Sequence, residues 1–377
     1  MPEPFKNLFS SALIEQMGRC FTAFSSDFDE QKFVALASSA LDTLELKERS
    51  EQIKQAMTDT FGNDFEANCN VLVKSLKPMI TPDDVSEAPA HSHLINGWAI
   101  MPMADYVAEH GQDALDVSMQ TLYELTQRFS AEFAIRPFLL TYPKGVIAIL
   151  NKWVSDPSHH VRRLVSEGTR TRLPWGIQLK NFIEDPSPVI PLLEALKDDP
   201  SEYVRRSVAN NLNDLAKDHP ALVVNIVKQW RNGADKHRER LIKHACRTLF
   251  KQGHAGALEV YGYNRPKLRV CDLRLSTQTV SVGEDLLLEA TLMGEDGVSQ
   301  SLMIDYVVYH KKANGKSMPK VFKWKTIELK GLESKKINMT KKHSFKPVTT
   351  RKYYVGEHKV ALKINGVEQA SVPFELV

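Results

Sequence analysis

Apolar residues follow two rhythms along this chain, and the change falls near residue 263. Over residues 5–77 the spacing is helical. Phe5, Leu8, Phe9, Leu13, Ile14 and Met17 recur every three or four positions, as do Phe33, Leu36, Ala37, Ala40, Leu41 and Leu44. Residues 81–97 are rich in turn formers, from Thr81-Pro82-Asp83-Asp84 to Asn96-Gly97, and read as a surface connection. The helical rhythm resumes at Met103 and runs to about Gly262. Pro137, Pro143, Pro157, Pro174, Pro186, Pro200 and Pro220 cut it into short helices with tight turns.

Beyond Tyr263-Asn264-Arg265-Pro266-Lys267 the period becomes two. Residues 279–282, 286–292, 304–309 and 358–364 alternate as strands. Gly283-Glu284, Gly294-Glu295-Asp296-Gly297, Asn314-Gly315 and Asn365-Gly366 read as turns. About seven short strands over about 110 residues predict an immunoglobulin-like sandwich. There is no Cys…Trp…Cys pattern, so the likeness is one of architecture. The expected organisation is a helical-repeat domain over 1–262, a linker over 263–267 and an all-β sandwich over 268–377.

One phrase occurs twice in the helical part. Asp156-Pro157-Ser158-His159-His160-Val161-Arg162-Arg163-Leu164-Val165-Ser166-Glu167 returns as Asp199-Pro200-Ser201-Glu202-Tyr203-Val204-Arg205-Arg206-Ser207-Val208-Ala209-Asn210. The offset, on the order of 40–47 residues, is that of paired-helix solenoids of the HEAT type. Each Asp-Pro-Ser is expected to cap the next helix through an Asp or Ser oxygen. Arg163 and Arg206 align with Arg240, and more loosely with Arg128. The residue four further on is then Glu167, Asn210, His244 or Glu132, with Asp214 one turn past Asn210. Spacing of i, i+4 puts each pair on one helix face, and equivalent faces of a solenoid line one concave surface. That surface would carry bases with carboxylates among them. Periodicity alone equally allows plain ion pairs joining neighbouring repeats. Trp175, after Arg170, Arg172 and the helix-ending Pro174, is placed to stack on a nucleotide or to plug the core between repeats.

Charge sharpens the first alternative. The net +3 hides 8 Lys/Arg against 19 Asp/Glu in residues 1–120, 22 against 15 in 121–265, and 19 against 12 in 266–377. The two later regions are therefore the candidates for an anionic partner. Cys20, Cys69, Cys246 and Cys271 form no CxxC pair or disulfide framework. No basic flank with a long apolar run opens the chain, and no uninterrupted apolar span of about 18 residues occurs. The expectation is a soluble cytoplasmic protein without membrane contact. His91-Ser92-His93 and His159-His160 lack further ligands at useful spacing and read as solvated loop residues, so no metal is expected.

Several phrases carry a resemblance: Pro4-Phe5-Lys6-Asn7; Gly97-Trp98-Ala99-Ile100-Met101-Pro102 with Tyr106-Val107-Ala108; Glu132-Phe133-Ala134-Ile135-Arg136-Pro137-Phe138; Val161 to Arg170; Leu173-Pro174-Trp175; and Val204 to Asp214. With them the chain resembles the AlkC-type alkylpurine DNA glycosylases, relatives of AlkD among the HEAT-like repeat glycosylases, in the branch with a C-terminal Ig-like domain. The resemblance implies excision of N3-alkylated bases, 3-methyladenine and 3-methylcytosine, from duplex DNA without a deep base pocket. It places Glu132, Glu167, Asp214 and Trp175 where the family keeps its active-site acids and aromatic.

The chemistry suits those residues. A cationic alkylated base leaves as a neutral molecule, and positive charge passes to the sugar. Carboxylates stabilise that charge and orient or deprotonate the attacking water. Neither a cofactor nor a metal is needed, and with no nucleophilic Lys motif a monofunctional enzyme without lyase action is expected. Arg162, Arg163, Arg170, Arg172, Arg205, Arg206, Asn210, Arg240, Lys243, His244 and Arg247 are the expected DNA-binding residues, joined by the basic turn Lys311, Lys312 and Lys316. The expected partner is double-stranded DNA carrying alkylated bases, met by a monomer that collects on the nucleoid. The competing reading is a non-catalytic HEAT scaffold that binds DNA or protein.

Overall fold

The computed structural model describes residues 4–79, 94–330, 336–348 and 351–377. The turn-rich connection and His91 and His93 fall largely or wholly outside the described residues. Helices run Ser11–Phe24 (α1), Glu30–Ser38 (α2), Leu46–Thr60 (α3), Phe65–Lys74 (α4), Ile100–His110 (α5), Leu115–Thr126 (α6), Ile135–Thr141 (α7), Pro143–Trp153 (α8), His159–Gly168 (α9), Lys180–Glu184 (α10), Ile190–Leu196 (α11), Glu202–Leu215 (α12), Pro220–Arg231 (α13), Lys236–Ala245 (α14), Arg247–Gln252 (α15) and Ala255–Val260 (α16). The strands are Leu268–Leu275 (β1), Thr279–Val280 (β2), Asp285–Gly294 (β3), Gln300–Lys311 (β4), Ser317–Leu329 (β5), Lys336–Ser344 (β6), Gly356–Ile364 (β7) and Val367–Leu376 (β8). The chain divides into two compact units, residues 1–218 with 235–245, and residues 219–234 with 246–377.

In the first unit the two copies of the repeated phrase open α9 and α12. Their inward faces, Val161, Leu164 and Val165 and then Val204, Val208 and Leu212, are buried. The Asp-Pro-Ser starts work differently from the expected cap. The Ser158 and Ser201 hydroxyls make no capping bond. Instead the Asp156 and Asp199 carboxylates each accept the backbone N–H of that serine at 2.8 Å, an Asx-turn. The first arginine of Val-Arg-Arg then folds back: Arg162 donates to the Asp156 and Pro157 carbonyls, and Arg205 to those of Asp199 and Pro200. Asp199 also takes Arg162 in a two-pronged pair, Nε to Oδ2 at 2.6 Å and Nη2 to Oδ1 at 3.1 Å. The turn that starts one repeat thus anchors the repeat before it.

Three early expectations are corrected. Phe5 and Leu8 lie in a short 3-10 turn and are exposed, outside the helical face. The apolar run from Phe33 to Leu44 is not one helix: α2 ends at Ser38 and Ala40 turns left-handed at φ 49°. Arg128 and Glu132 do not share a helix either. Arg128 follows α6 and pairs with Glu124, while Glu132 sits in the turn before α7.

The second unit holds the strands together with α13, α15 and α16. One sheet has the order β1-β3-β6 and the other β2-β8-β7-β4-β5. Inward residues of both sheets, such as Leu286 and Leu288 with Val308, Val360 and Phe374, form the core. The Asn365-Gly366 turn has φ 44° and 81°, the primed geometry that Asn-Gly signals. The sequence pattern did not single out β5 and β6. Both carry lysines on mostly exposed faces, which blur the alternation. A Cβ on Gly366 would lie 2.6 Å from the Gly253 Cα, so the β7–β8 turn meets the end of α15 backbone to backbone.

Three histidines, His310, His343 and His358, are buried in this sandwich. His343 bonds the Tyr306 hydroxyl at 3.0 Å, and His358 the Gly356 carbonyl at 2.8 Å. Burial, then Arg351 and its neighbours His343, His358 and Lys312, push His310 down to about 3. Burial, then Arg351 and Lys320, push His343 down to about 4, against a smaller opposing pull from Asp285.

Two predictions follow from the two units. Asp199→Ala leaves Arg162 without its buried partner and should cost about 3 kcal/mol in a denaturant titration; a loss under about 1 kcal/mol would contradict the joint. For the sandwich, folded pKa values below the unfolded value mean that the neutral rings stabilise fully above about pH 6.5. That stability is lost as pH falls toward 4. Hydrogen exchange of β4 and β7 in the full chain should therefore accelerate over that window, and His310→Leu should flatten the dependence.

Candidate functional site

The site grows from α9. Arg163 and Glu167, one turn apart, point the same way, with Arg163 Nη2 3.5 Å from Glu167 Oε1. Arg163 also reaches back to the turn before α7. There its Nη1 donates to Glu132 Oε2 at 2.6 Å and to Ser130 Oγ at 2.7 Å, and Ser130 donates to Glu132 at 2.8 Å. Beyond the end of α9, Arg170 Nη1 donates to Glu167 Oε1 at 2.7 Å, and its Nε to Asp214 Oδ2 at 2.8 Å. Lys217 closes the series on Asp214 Oδ1 at 2.8 Å. Six charges thus alternate in sign from Glu132 to Lys217.

Burial makes this alternation necessary. Glu167, Arg170 and Asp214 are only 4%, 6% and 1% exposed, and unpaired charges there would cost several kcal/mol each. Burial opposes the charge on Arg163 and Arg170, but the carboxylates outweigh it. Glu132 and Glu167 hold Arg163, and Glu167 and Asp214 hold Arg170, above the ordinary arginine value.

A cavity of about 530 Å³ opens on this series, lined by Glu132, Arg163, Glu167, Arg170, Trp175 and Tyr203 among others. The structure therefore brings Glu132, Glu167 and Trp175 to one space. Asp214 sits behind Arg170. Trp175 is 72% exposed, so it does not plug the core between repeats. The helix also ends earlier than expected, at Gly168 rather than at Pro174.

The loop that carries Trp175 is fixed from both sides. Its backbone is left-handed, φ 66°, a costly conformation for a bulky residue. Lys47 Nζ donates to the Trp175 carbonyl at 2.8 Å. From beneath, Arg136 is fully buried and gives its guanidinium to carbonyls: Gly168 at 2.9 Å, Arg170 at 2.7 Å and Ile177 at 2.7 Å. Burial, then Arg170, pushes its pKa down to about 10. Gly168 permits the approach, since a Cβ there would lie 2.7 Å from Ile135 Cγ2.

The expected DNA-binding residues separate into groups. Arg162 and Arg205 serve the repeat joints described above. Arg172 pairs with Asp218 at 2.8 Å and Arg206 with Glu202 at 3.2 Å, both from exposed positions. Asn210 and His244 meet at 2.9 Å. Arg205, Arg206, Arg240 and His244 line one groove between α12 and α14, and Lys243 is exposed on α14. Arg247 opens α15, and Lys311, Lys312 and Lys316 stand at the β4–β5 hairpin, all in the second unit.

Sequence reasoning missed Tyr203, whose ring lies 4.6 Å under the Arg163 guanidinium. Its signal was available, because Tyr203 occupies the repeat position of His160. His159 and His160 are not loop residues: they begin α9 with their ring centroids 4.1 Å apart, and half-buried His160 lines the cavity. Arg136 was also missed as a positioning group, although an arginine between Ile135 and Phe138 on an apolar helix face was the clue. Among the described residues no three His, Cys, Asp or Glu side chains gather as a metal site. No helix among them is long and apolar enough to cross a membrane.

Because the Trp175 ring is exposed while its backbone is strained, Trp175→Gly should not destabilise the chain. Its unfolding midpoint should hold or rise, by up to about 1 kcal/mol, and a loss above that would show that the ring packs.

Residues 269–377 match the family described as the C-terminal Ig-like domain of the uncharacterised protein YhaZ. The chain is 35% identical over 373 residues to the uncharacterized protein YhaZ of Bacillus subtilis, covering 98% of this chain and 99% of that one. Among solved structures, the Pseudomonas fluorescens alkylpurine DNA glycosylase AlkC, bound to DNA containing an abasic site analog, superposes with a TM-score of 0.87. It is 31% identical, over 100% of both chains.

Proposed function

The chain belongs to the AlkC-type family of alkylpurine DNA glycosylases, in the branch with a C-terminal Ig-like domain, and from that premise we propose that it is a DNA repair glycosylase that hydrolyses the N-glycosidic bond of cationic N3-alkylated bases. The substrates we assign are 3-methyladenine and 3-methylcytosine in duplex DNA. The observation that carries the reading is the alternating charge series, which sets Glu132 and Glu167 beside Trp175 on one cavity.

The bond from C1′ to the base nitrogen breaks with its electron pair going to the base. That pair neutralises the base's positive charge, so no acid need protonate the leaving group. The sugar is left as an oxocarbenium ion. Glu132 and Glu167 stabilise this cation, and one of them takes a proton from the water that adds to C1′. Their own charges are oriented by Arg163, Arg170 and Ser130 before any DNA arrives. Asp214 acts through Arg170, whose position it fixes.

Trp175 is the exposed aromatic against which the lesion's sugar or neighbouring base packs. Arg206, Asn210, Arg240, Lys243 and His244 grip phosphates on the first unit. Arg172, Arg247, Lys311, Lys312 and Lys316 add to the salt-dependent affinity. The reaction we assign stops at the abasic site without strand cleavage. The lesion is excised without deep flipping, and the enzyme works as a monomer in the cytoplasm.

The test is to incubate the chain with methylated duplex DNA and measure free bases. Release of 3-methyladenine is expected, and none at enzyme excess would sink the reading. Glu167→Gln should slow single-turnover release about a hundredfold while binding to abasic-site DNA stays within about threefold. Equal loss of both would give Glu167 a structural role and leave Glu132 as the acting acid.

A further inference from the structure

The contact between α9 and α12 is built against the repeat's own rule. At the 43-residue offset fixed by Asp156 and Asp199, the buried Leu164 of α9 corresponds to Ser207 of α12, and Gly168 corresponds to Asn211. Position 207 faces inward, and Ser207 is only 2% exposed. A leucine there would continue the apolar seam. A buried hydroxyl in its place is neutral at best unless it meets a partner.

Its partner is the site. Ser207 Oγ donates to Glu167 Oε2 at 2.6 Å. One turn on, Asn211 Nδ2 donates to the Ser166 carbonyl at 2.8 Å and lies 3.0 Å from Thr169 Oγ1. One further turn on, Asp214 takes Arg170. Ser207, Asn211 and Asp214 stand at i, i+4 and i+7, a single stripe of α12. Every group of the preceding repeat that they meet lies between residues 166 and 170, at the end of α9 and just beyond it. The stripe therefore grips Glu167, the Ser166 carbonyl before it, the Thr169 hydroxyl after it, and the arginine bound to its other oxygen.

The division of labour on Glu167 is specific. Oε1 receives Arg170 at 2.7 Å with Arg163 at 3.5 Å, and Oε2 receives Ser207. The two arginines fix where the charge lies, but with Oε2 unbonded the carboxylate plane would be free to turn about its last torsion, which is broad for glutamate. The hydroxyl removes that freedom. A neutral donor also leaves the net charge of the series unchanged.

We propose that Ser207 is a positioning residue of the reaction, which acts by fixing the plane of the Glu167 carboxylate toward the developing sugar cation. The proposal rests on the glycosylase reading above. It predicts a loss in the chemical step and none in DNA affinity, because Ser207 is buried beneath the surface.

The experiment is a double-mutant cycle on methylated duplex DNA. Ser207→Ala should slow single-turnover release of 3-methyladenine by about ten- to a hundredfold, with affinity for abasic-site DNA unchanged within about twofold. Ser207→Thr, which keeps the hydroxyl, should recover most of the rate. In a Glu167→Gln background Ser207→Ala should add less than about threefold, because its effect passes through that carboxylate. Full activity in a folded Ser207→Ala chain would overturn the proposal. So would the same fold-loss with and without Glu167, which would mark a general packing defect. If Ser207→Ala does not fold, Ser207→Thr and Ser207→Cys carry the comparison: equal rates for hydroxyl and thiol would overturn the role of the oxygen. A wild-type chain that releases no base would overturn the glycosylase reading and the role of Ser207 with it, whereas an active wild type with indifferent Ser207 variants would remove Ser207 alone.

Discussion

A buried charge persists only where an opposite charge meets it, and this requirement shapes the helical unit from Glu132 to Lys217. Each arginine in the series stands between two carboxylates. Removing a buried member leaves its neighbours short of a partner in a water-poor place. The acids are thus held in position by their surroundings rather than by their own rotamer preferences. Such prior orientation is what stabilisation of a developing cation demands, since nothing need reorganise as the charge appears. The arrangement that keeps the fold whole and the one that suits the chemistry are the same.

The same requirement explains why the repeats differ. A HEAT-type array needs apolar inward faces and a joint between neighbours. Val161, Leu164 and Val165 meet the first need, and Asp199 with Arg162 the second. Once these are met, other positions are released from the repeat's rule. His160 becomes Tyr203, Leu164 becomes Ser207 and Gly168 becomes Asn211; Tyr203 meets Arg163, Ser207 meets Glu167, and Asn211 holds the segment around Glu167. Departure from a repeat is therefore more informative here than adherence to it.

Much of this was legible in the chain itself. The 43-residue phrase, the turn to period two near residue 263 and the Asn365-Gly366 hairpin are local signals, carried by neighbouring residues. The i, i+4 pair Arg163 and Glu167 was likewise local, and the family resemblance singled out Glu132, Glu167, Asp214 and Trp175. Contacts between distant segments were not legible. Nothing in the spacing says that Arg162 belongs to Asp199, that Arg136 holds the Trp175 loop by three carbonyls, or that Asp214 stands behind Arg170. The same holds for the depth of the cavity and for the exposure of the tryptophan. These depend on how helices approach one another, which the periodicity of any one helix does not encode. The lysine-rich strands β5 and β6 were obscured for a different reason, because exposed faces place little demand on residue type.

The left-handed backbone of Trp175 bears on timing as well as geometry. Its ring stands clear of the protein, on a backbone held by Lys47 at the Trp175 carbonyl and by Arg136 at the carbonyls of Gly168, Arg170 and Ile177. A loop whose backbone is already braced in this way has little backbone freedom left to lose on docking. If a duplex docks here, as proposed above, it meets a backbone already set, with no loop closure to wait for. On the function proposed above, a preset loop would shorten every inspection of undamaged DNA.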